Sequence, residues 1–180
     1  LFVLTLIAWI EFNGLISKIF KVNLYRLLIN VLSLIYLIIF SFIVASAILQ
    51  DNFKLNIFYL FLICIFSDVG GLIFGKVFKG KKLTKISPNK TYSGMCGSFI
   101  LSILLAFLVF NEYYSLNFIF FFSLLISSVT QLGDLFVSFL KRRVNMKDTG
   151  SILPGHGGLL DRFDGIIFAI PFCLLLKLFL

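Results

Sequence analysis

The sequence predicts an all-α, polytopic transmembrane helical bundle with five full spans and a partial N-terminal span. Composition is the first observation, because 60% of the 180 residues are hydrophobic and 13% are charged, whereas about a quarter of the residues in soluble domains are charged. The second is that five apolar stretches approach the roughly 20 residues needed to cross a bilayer core. The third is that no stretch alternates with period two, which disfavours a β-barrel.

The predicted spans lie at residues 26–49, 55–74, 94–110, 116–140 and 163–180. Residues 1–16 are interpreted as the remainder of a truncated span, because they lack the basic start and the cleavage site of a signal peptide. We divide the chain into N-terminal helices, 1–66, and a core, 67–180, that contains the two large basic loops. No soluble domain and no internal repeat is predicted.

The charged residues predict the orientation of the bundle. The net charge is +8, and 14 of the 16 Lys and Arg residues fall in loops on one side of the predicted spans. Such loops are typically cytoplasmic, so loops 76–93 and 141–162 are expected together on the cytoplasmic side of the cell (inner) membrane. Because basic residues beside spans usually mark topology, no nucleic-acid partner is expected.

Four carboxylates are predicted to reach a common depth in the cytoplasmic half of the membrane. By the rise of an α-helix, Asp68 lies roughly 12 Å and Asp134 roughly 10 Å below the cytoplasmic surface. Asp161 and Asp164 open the last span and share a helical face. Charged residues in spans are costly and often functional, and carboxylates with room for water and phosphate oxygens suit Mg²⁺.

Structural interpretations of these acids stay open. Asp161 and Asp164 could cap a helix N-terminus, and Asp68 could pair with a lysine. Asp134 has a weaker structural interpretation, since it follows Gln131 and Gly133 in an apolar span. Glu11, near the cytoplasmic end of the truncated span, is interpreted as structural.

The two basic loops contain groups that suit a polyphosphate. Ser87, Lys90 and Thr91 place hydroxyl and ammonium donors in a turn before a span. The glycines around His156 let backbone N–H groups approach an anion closely. A solvated or lipid-contacting role for the lysines is the alternative. Together with the intramembrane acids, the loops indicate phosphoryl or nucleotidyl transfer to a lipid.

Residues 138–164 carry a more specific signal, the segment SFLKRRVNMKDTGSILPGHGGLLDRFD. This segment resembles the signature of the phosphatidate cytidylyltransferases, the CDP-diacylglycerol synthases. The pairs Ser67-Asp68 and Gly133-Asp134 resemble other family segments, and so does the turn at 87–94, although Asn89 stands where the family has Lys. The resemblance covers about residues 67–164, so a short or N-terminally truncated bacterial-type member is expected.

The resemblance implies a reaction in which CTP and phosphatidate give CDP-diacylglycerol and pyrophosphate, with Mg²⁺ as cofactor and a second cation left open. It implies Mg²⁺ ligands at Asp134 and Asp161, with Asp68 and Asp164 beside them. The catalytic residues would be Asp134, Asp161, Lys147 and Asp148. The residues that would bind CTP and its phosphates are Ser87, Lys90, Thr91, Lys141, Arg142, His156, Gly157, Gly158 and Arg162. The candidate partners are CTP, phosphatidate, membrane lipid and a second copy of the chain, as a homodimer.

Two other functions are compatible with parts of the sequence. A CTP-dependent polyprenol or lipid kinase would transfer phosphate to an alcohol and release CDP. A cation or proton transporter that uses Asp68 and Asp134 as a relay would spread its acids through the bilayer and show a repeat of broken helices. The acids cluster on one side and no repeat is present, which disfavours the transporter.

Overall fold

The computed structural model describes residues 1–21, 23–84, 87, 90–152 and 157–179. Within these residues the chain forms six helices and no strand, which confirms the predicted all-α bundle. Outside the helices, an isolated antiparallel β-bridge joins Lys82 to Thr91. The helices are α1 (Phe2–Ile19), α2 (Leu24–Leu49), α3 (Asp51–Phe78), α4 (Tyr92–Phe110), α5 (Leu116–Arg143) and α6 (Leu160–Phe179).

Five of the described helices, α1 to α5, are long and apolar enough to cross a membrane. The number of full spans, five, therefore agrees with the prediction, but the helices that supply these spans differ at both ends of the chain. The helix α1 meets the criterion in full, whereas the sequence predicted only a partial span there. The helix α6 does not meet it, because Asp161, Arg162 and Asp164 lie at its start and Lys177 near its end.

Small residues bring α3 and α4 into close contact. A Cβ atom on Gly70 would lie 2.5 Å from the carbonyl oxygen of Gly97, and one on Gly94 would lie 2.8 Å from that of Gly71. Membrane helices associate through such close backbone packing, because lipid supplies no hydrophobic force between them. This contact fixes the start of α4 and the basic loop before it beside the end of α3.

Hydrogen bonds join α3 to α5 along one row of α5 residues spaced four apart. Ser123 bonds to Tyr59 at 2.8 Å, and Ser127 bonds to Ser67 at 2.7 Å. Gln131, one turn later, donates to Ser127 at 3.2 Å. Buried polar groups in a membrane bundle need such partners, and Asp134 lies three residues after Gln131, on the next turn of α5.

A proline in α6 creates the contact between α2 and α6. Pro171 has no N–H group, so the carbonyl of Ile167, four residues earlier, lacks its helical donor. The hydroxyl of Tyr36 in α2 donates to this carbonyl at 2.8 Å. The proline is therefore accommodated by a side chain from another helix, as membrane helices commonly require.

Candidate active site

An ion pair joins the basic loop before α4 to the half of α5 that is predicted to face the cytoplasm. The ammonium group of Lys90 contacts the Oδ2 atom of Asp134. The two side chains retain 25% and 31% of their exposure, so the pair is open to the surroundings. This partial exposure distinguishes the pair from the fully buried hydroxyl contacts between α3 and α5.

Asp164 lies directly against the same aspartate. The carboxyl groups of Asp134 and Asp164 are close enough to act directly on each other, and Asp68 is close enough to act on Asp134 electrostatically. Asp164 is buried, with 7% exposure, whereas Asp68 is exposed on α3. Two carboxylates this close repel each other, so the pair either shares a proton or holds a cation between its two ionised groups.

Close packing of α5 on α6 produces that contact. A Cβ atom on Gly133 would lie 2.8 Å from the carbonyl oxygen of Asp164 and 3.2 Å from Cα of Gly165. Only a residue without a side chain allows the two backbones to approach so closely at this level. The glycine before Asp134 therefore sets the distance between the two carboxyl groups.

A second, more buried ion pair lies nearby. Lys141 donates to Oδ1 of Asp161 at 2.7 Å, and the two side chains are only 12% and 10% exposed. The Oδ2 atom of Asp161 accepts the backbone N–H groups of Thr149 at 2.7 Å and Gly158 at 3.1 Å. Burial would raise the pKa of Asp161, but Lys141 and the two N–H groups outweigh it and hold the pKa below the usual carboxyl range.

The loop between α5 and α6 has a further anchor that sequence reasoning did not include in the site. Glu11 of α1 is buried, with 5% exposure. Its Oε1 atom accepts from the N–H group of Leu159 at 3.0 Å. Its Oε2 atom accepts from the N–H group of Leu160 at 2.8 Å and the hydroxyl of Thr149 at 3.0 Å. A charged residue inside an apolar helix was the available signal.

Ser87 and Thr91, which lie in the same loop 76–93, have a structural role that differs from the role of Lys90. Thr91 caps α4, since its hydroxyl accepts from the N–H group of Gly94 at 3.1 Å and bonds to Ser93 at 2.9 Å. The N–H group of Ser87 donates to the hydroxyl of Thr84, and the carbonyl of Ser87 accepts from the backbone N–H group of Lys90. The geometry thus assigns Thr91 and the backbone of Ser87 to shaping the turn, while the side chain of Lys90 reaches the aspartates.

Several other predicted residues lie at the periphery. Arg142 is exposed and donates to the carbonyl of Met146 at 3.3 Å, closing the end of α5. Lys147, Asp148 and Arg162 are also exposed. Gly157 has a φ of 83° and packs on Asp148, so a side chain there would be strained. His156 lies outside the described residues.

The predicted metal ligands divide into two sets in the structure. Within the described residues, no group of three or more His, Cys, Asp or Glu side chains is arranged to hold a metal ion. The contacting pair Asp134 and Asp164 nevertheless has the donor chemistry that Mg²⁺ accepts. Asp161 fits less well, because both of its oxygens already accept hydrogen bonds.

Comparison with known proteins identifies the family of this arrangement. The whole chain, residues 1–180, matches the cytidylyltransferase family. The chain belongs to that family. With its five long apolar helices, this cytidylyltransferase-family chain is an integral membrane protein.

The curated relatives of this cytidylyltransferase-family chain share one name. The phosphatidate cytidylyltransferase of Rickettsia conorii is 40% identical over 142 residues, which are 73% of this chain and 62% of the relative. That of Helicobacter pylori is 39% identical over 130 residues, 71% of this chain and 49% of the relative. That of Staphylococcus saprophyticus is 41% identical over 119 residues, 64% and 46% of the two chains. The aligned region therefore spans about half to three fifths of these relatives.

Proposed function

We propose that the chain transfers a cytidylyl group from CTP to phosphatidate, giving CDP-diacylglycerol and pyrophosphate. Its membership of the cytidylyltransferase family and the shared name of its relatives support the reaction class. The observation that carries the proposal to particular residues is the contact of Asp134 with both Asp164 and Lys90. Carboxylates beside an accessible ammonium group are suited to a nucleoside triphosphate and its metal.

Asp134 and Asp164 are the proposed ligands of Mg²⁺, and Asp68 is their electrostatic neighbour. This replaces Asp161 of the sequence-based assignment by Asp164, because Asp161 already accepts from Lys141, Thr149 and Gly158. Bound Mg²⁺ would offset negative charge on the triphosphate as pyrophosphate departs. A second cation stays a prediction.

Lys90 is the proposed phosphate-binding residue. Its pairing with Asp134 holds the ammonium group at the acidic cluster until an anionic substrate arrives. An ammonium group is a compact charge with three donors, which suits the oxygens of a triphosphate. Lys141, although paired with Asp161, also acts electrostatically on Asp134 and Asp164, so it adds positive charge at the same place.

The chemical step needs positioning more than it needs a base. A phosphate oxygen of phosphatidate bonds to the α-phosphorus of CTP, and the bond from that phosphorus to the bridging oxygen of the β-phosphate breaks. Pyrophosphate leaves with the electron pair. Because the attacking phosphate is already anionic, no side chain has to remove a proton from it, and the residues act by alignment and charge compensation.

The location of the site and the assembly of the chain are part of the proposal. The basic loops are proposed to face the cytoplasm across the inner membrane, by the positive-inside rule. There the site would meet CTP from solution and phosphatidate from the bilayer. A homodimer stays a prediction, and the mass of the purified protein in lipid nanodiscs of known composition checks it.

The test is turnover of the lipid-reconstituted protein with phosphatidate, Mg²⁺ and CTP that is labelled at the α-phosphate. We expect label in the lipid, an equal amount of pyrophosphate, and loss of both on chelation of Mg²⁺ with restoration on its return. A parallel reaction with a polyprenol and γ-labelled CTP tests the kinase alternative. Label in the polyprenol with release of CDP, and none in phosphatidate, would overturn the proposal.

A further inference from the structure

We infer that Glu11 is a positioning residue for the proposed cytidylyl transfer, although it lies in the first helix and far from the signature segment in sequence. The inference rests on the proposed function and deepens it. In the described part of the chain, the hydrogen bonds of Glu11 go to Thr149, Leu159 and Leu160 rather than to Asp134 or Lys90. It holds the loop before α6 and the first turn of that helix, which carries Asp161 and, one turn on, Asp164.

The loop needs such an acceptor because of its depth. Lys18, near the end of α1, contacts the sulfur of Met146 at 3.0 Å, which places the start of the loop beside that helix end. Glu11 lies seven residues earlier in α1, about 10 Å further along its axis. The loop therefore descends along α1, a helix long and apolar enough to span a membrane, and irregular backbone packed beside such a helix must find its hydrogen-bond partners within the protein.

Two carboxylates accept four backbone N–H groups from the described part of the loop and the start of α6. Asp161 accepts the N–H groups of Thr149 and Gly158, and Glu11 accepts those of Leu159 and Leu160. An unpaired N–H group buried there would cost the full desolvation penalty. Glu11, on α1, thus accepts the N–H groups of Leu159 and Leu160, which Asp161, on α6, does not reach.

Two glycines of the signature segment make room for Glu11. A Cβ atom on Gly150 would lie 2.7 Å from its Oε1 atom, and one on Gly158 would lie 2.6 Å from its Oε2 atom. The loop therefore encloses the carboxylate closely from two positions, Gly150 near its start and Gly158 near its end. This fit indicates a purpose-built contact for Glu11, and any shift of the carboxylate moves the loop with it.

The consequence reaches the reacting groups through α6. Leu160 begins α6, so a fixed Leu160 sets both the rotation and the depth of the helix. Asp164, four residues later, must meet Asp134 on α5 for the proposed metal pair to form. Without Glu11, the start of α6 would lose its attachment to α1, and we expect Asp164 to sample positions away from Asp134.

The substitution Glu11→Gln tests the inference, with Glu112→Gln as the matched control. Gln has nearly the same shape, but its NH₂ group would face N–H donors where an oxygen now accepts. Glu112 undergoes the same chemical change in an exposed loop at the opposite end of the bundle. Amide hydrogen exchange of the peptides that contain Leu159 and Leu160 reports the contact without any enzymatic activity.

For Glu11→Gln we expect exchange at these amides to rise about tenfold or more, since hydrogen bonds to a charged group are lost. The rise should be confined to residues 149–152 and 157–164, and kcat should fall about tenfold or more with little change in the KM for CTP. Glu112→Gln should match the wild type in both measurements. Unchanged exchange, or a rise spread evenly over all helices, would overturn the inference.

A milder variant keeps the test decisive if Glu11→Gln fails to fold. Thr149→Val removes one donor to Glu11 at nearly constant shape, and it should raise exchange at Leu160 and lower kcat less than Glu11→Gln. Normal kcat in a variant with a loosened loop would refute positioning. If the wild-type protein transfers no cytidylyl group, the proposed function and its positioning residue both fail, whereas the exchange result still decides whether Glu11 holds the loop.

Discussion

Lys141 near the end of α5 and Asp161 in the first turn of α6 form a buried ion pair of 2.7 Å. The pair closes the loop between these helices at its base, while two N–H groups from within the loop bond to the other oxygen of Asp161. A carboxylate with three donors is a strong local anchor. The loop is therefore tied to the helix that also carries Asp164, and its order is linked to the ionisation of Asp161.

The first prediction concerns the pH dependence of this anchor. Because the pKa of folded Asp161 lies below the ordinary value of 3.8, its contribution to stability is present above that value and is lost as the pH falls through the lower, folded pKa. Protection of the Thr149 and Gly158 amides, corrected for intrinsic exchange, should be constant above about pH 5 and decrease at lower pH.

In Asp161→Asn, the protection of these amides should already be lower at neutral pH, by about 2 kcal/mol of local opening free energy, and should no longer depend on acid in this range. Hydrogen exchange followed from pH 3 to pH 7 makes the measurement. Equal protection of the wild type and the variant at pH 7 would contradict the assignment.

The second prediction concerns the approach of α5 to α6. Gly133→Ala would push a methyl group against the carbonyl of Asp164, 2.8 Å away, and should cost about 1–3 kcal/mol of stability. Gly14→Ala is the control, because nothing lies within 4 Å of the added atom and alanine favours a helix. Thermal unfolding in one detergent compares the two, and equal transition temperatures would show that the close approach is unimportant.

The third prediction uses the proline in α6. Tyr36→Phe removes the donor to the carbonyl of Ile167 and should destabilise the bundle by about 1 kcal/mol. In a Pro171→Ala background the new N–H group can bond to that carbonyl, so the same tyrosine change should cost less. A double-mutant cycle measures the difference, and identical costs in both backgrounds would mean that the hydroxyl does not compensate for the proline.

The fourth prediction concerns the accessible lysine. Lys90→Gln should raise the KM for CTP about tenfold or more, because an ammonium donor to phosphate is lost. Lys54→Gln is the matched control, since Lys54 also forms a lysine–aspartate pair, with Asp51, at the opposite end of the bundle. Initial rates over a range of CTP concentrations separate KM from kcat, and a normal KM in Lys90→Gln would remove Lys90 from the binding site.

Sequence reasoning identified the helices and predicted that four aspartates converge, of which Asp68, Asp134 and Asp164 lie together while Asp161 pairs with Lys141. Apolar length and the helical rise were sufficient, because Asp68 and Asp134 lie at similar distances from the ends of their helices. The six lysines of loop 76–93 could not be ranked in the same way. They are chemically equal in the sequence, and only the packing of α4 on α3 brings Lys90 to Asp134.

The division of labour between Asp161 and Asp164 also depends on the fold. Their spacing places both on one face of α6, yet Asp161 meets Lys141 and Asp164 meets Asp134. Glu11 shows most clearly which contacts cannot be predicted from the sequence alone. Its partners Leu159 and Leu160 lie 148 and 149 positions away, so no local pattern could connect them, and only the rarity of a charge inside a span pointed to it.

The fifth prediction tests the central claim, that Asp134 lies at the reacting centre of a cytidylyl transfer. The measurement is the transfer of α-phosphate label from CTP to phosphatidate by Asp134→Asn, beside Asp51→Asn as a control. Asp51 is 91% exposed at the opposite end of the bundle. Both variants are to be compared at equal amounts of folded, reconstituted protein.

We predict that Asp134→Asn loses about 100-fold or more in turnover, the scale expected when a charged group at the reacting centre is removed. Asp51→Asn should keep the wild-type rate. Near-normal turnover by folded Asp134→Asn would contradict the account.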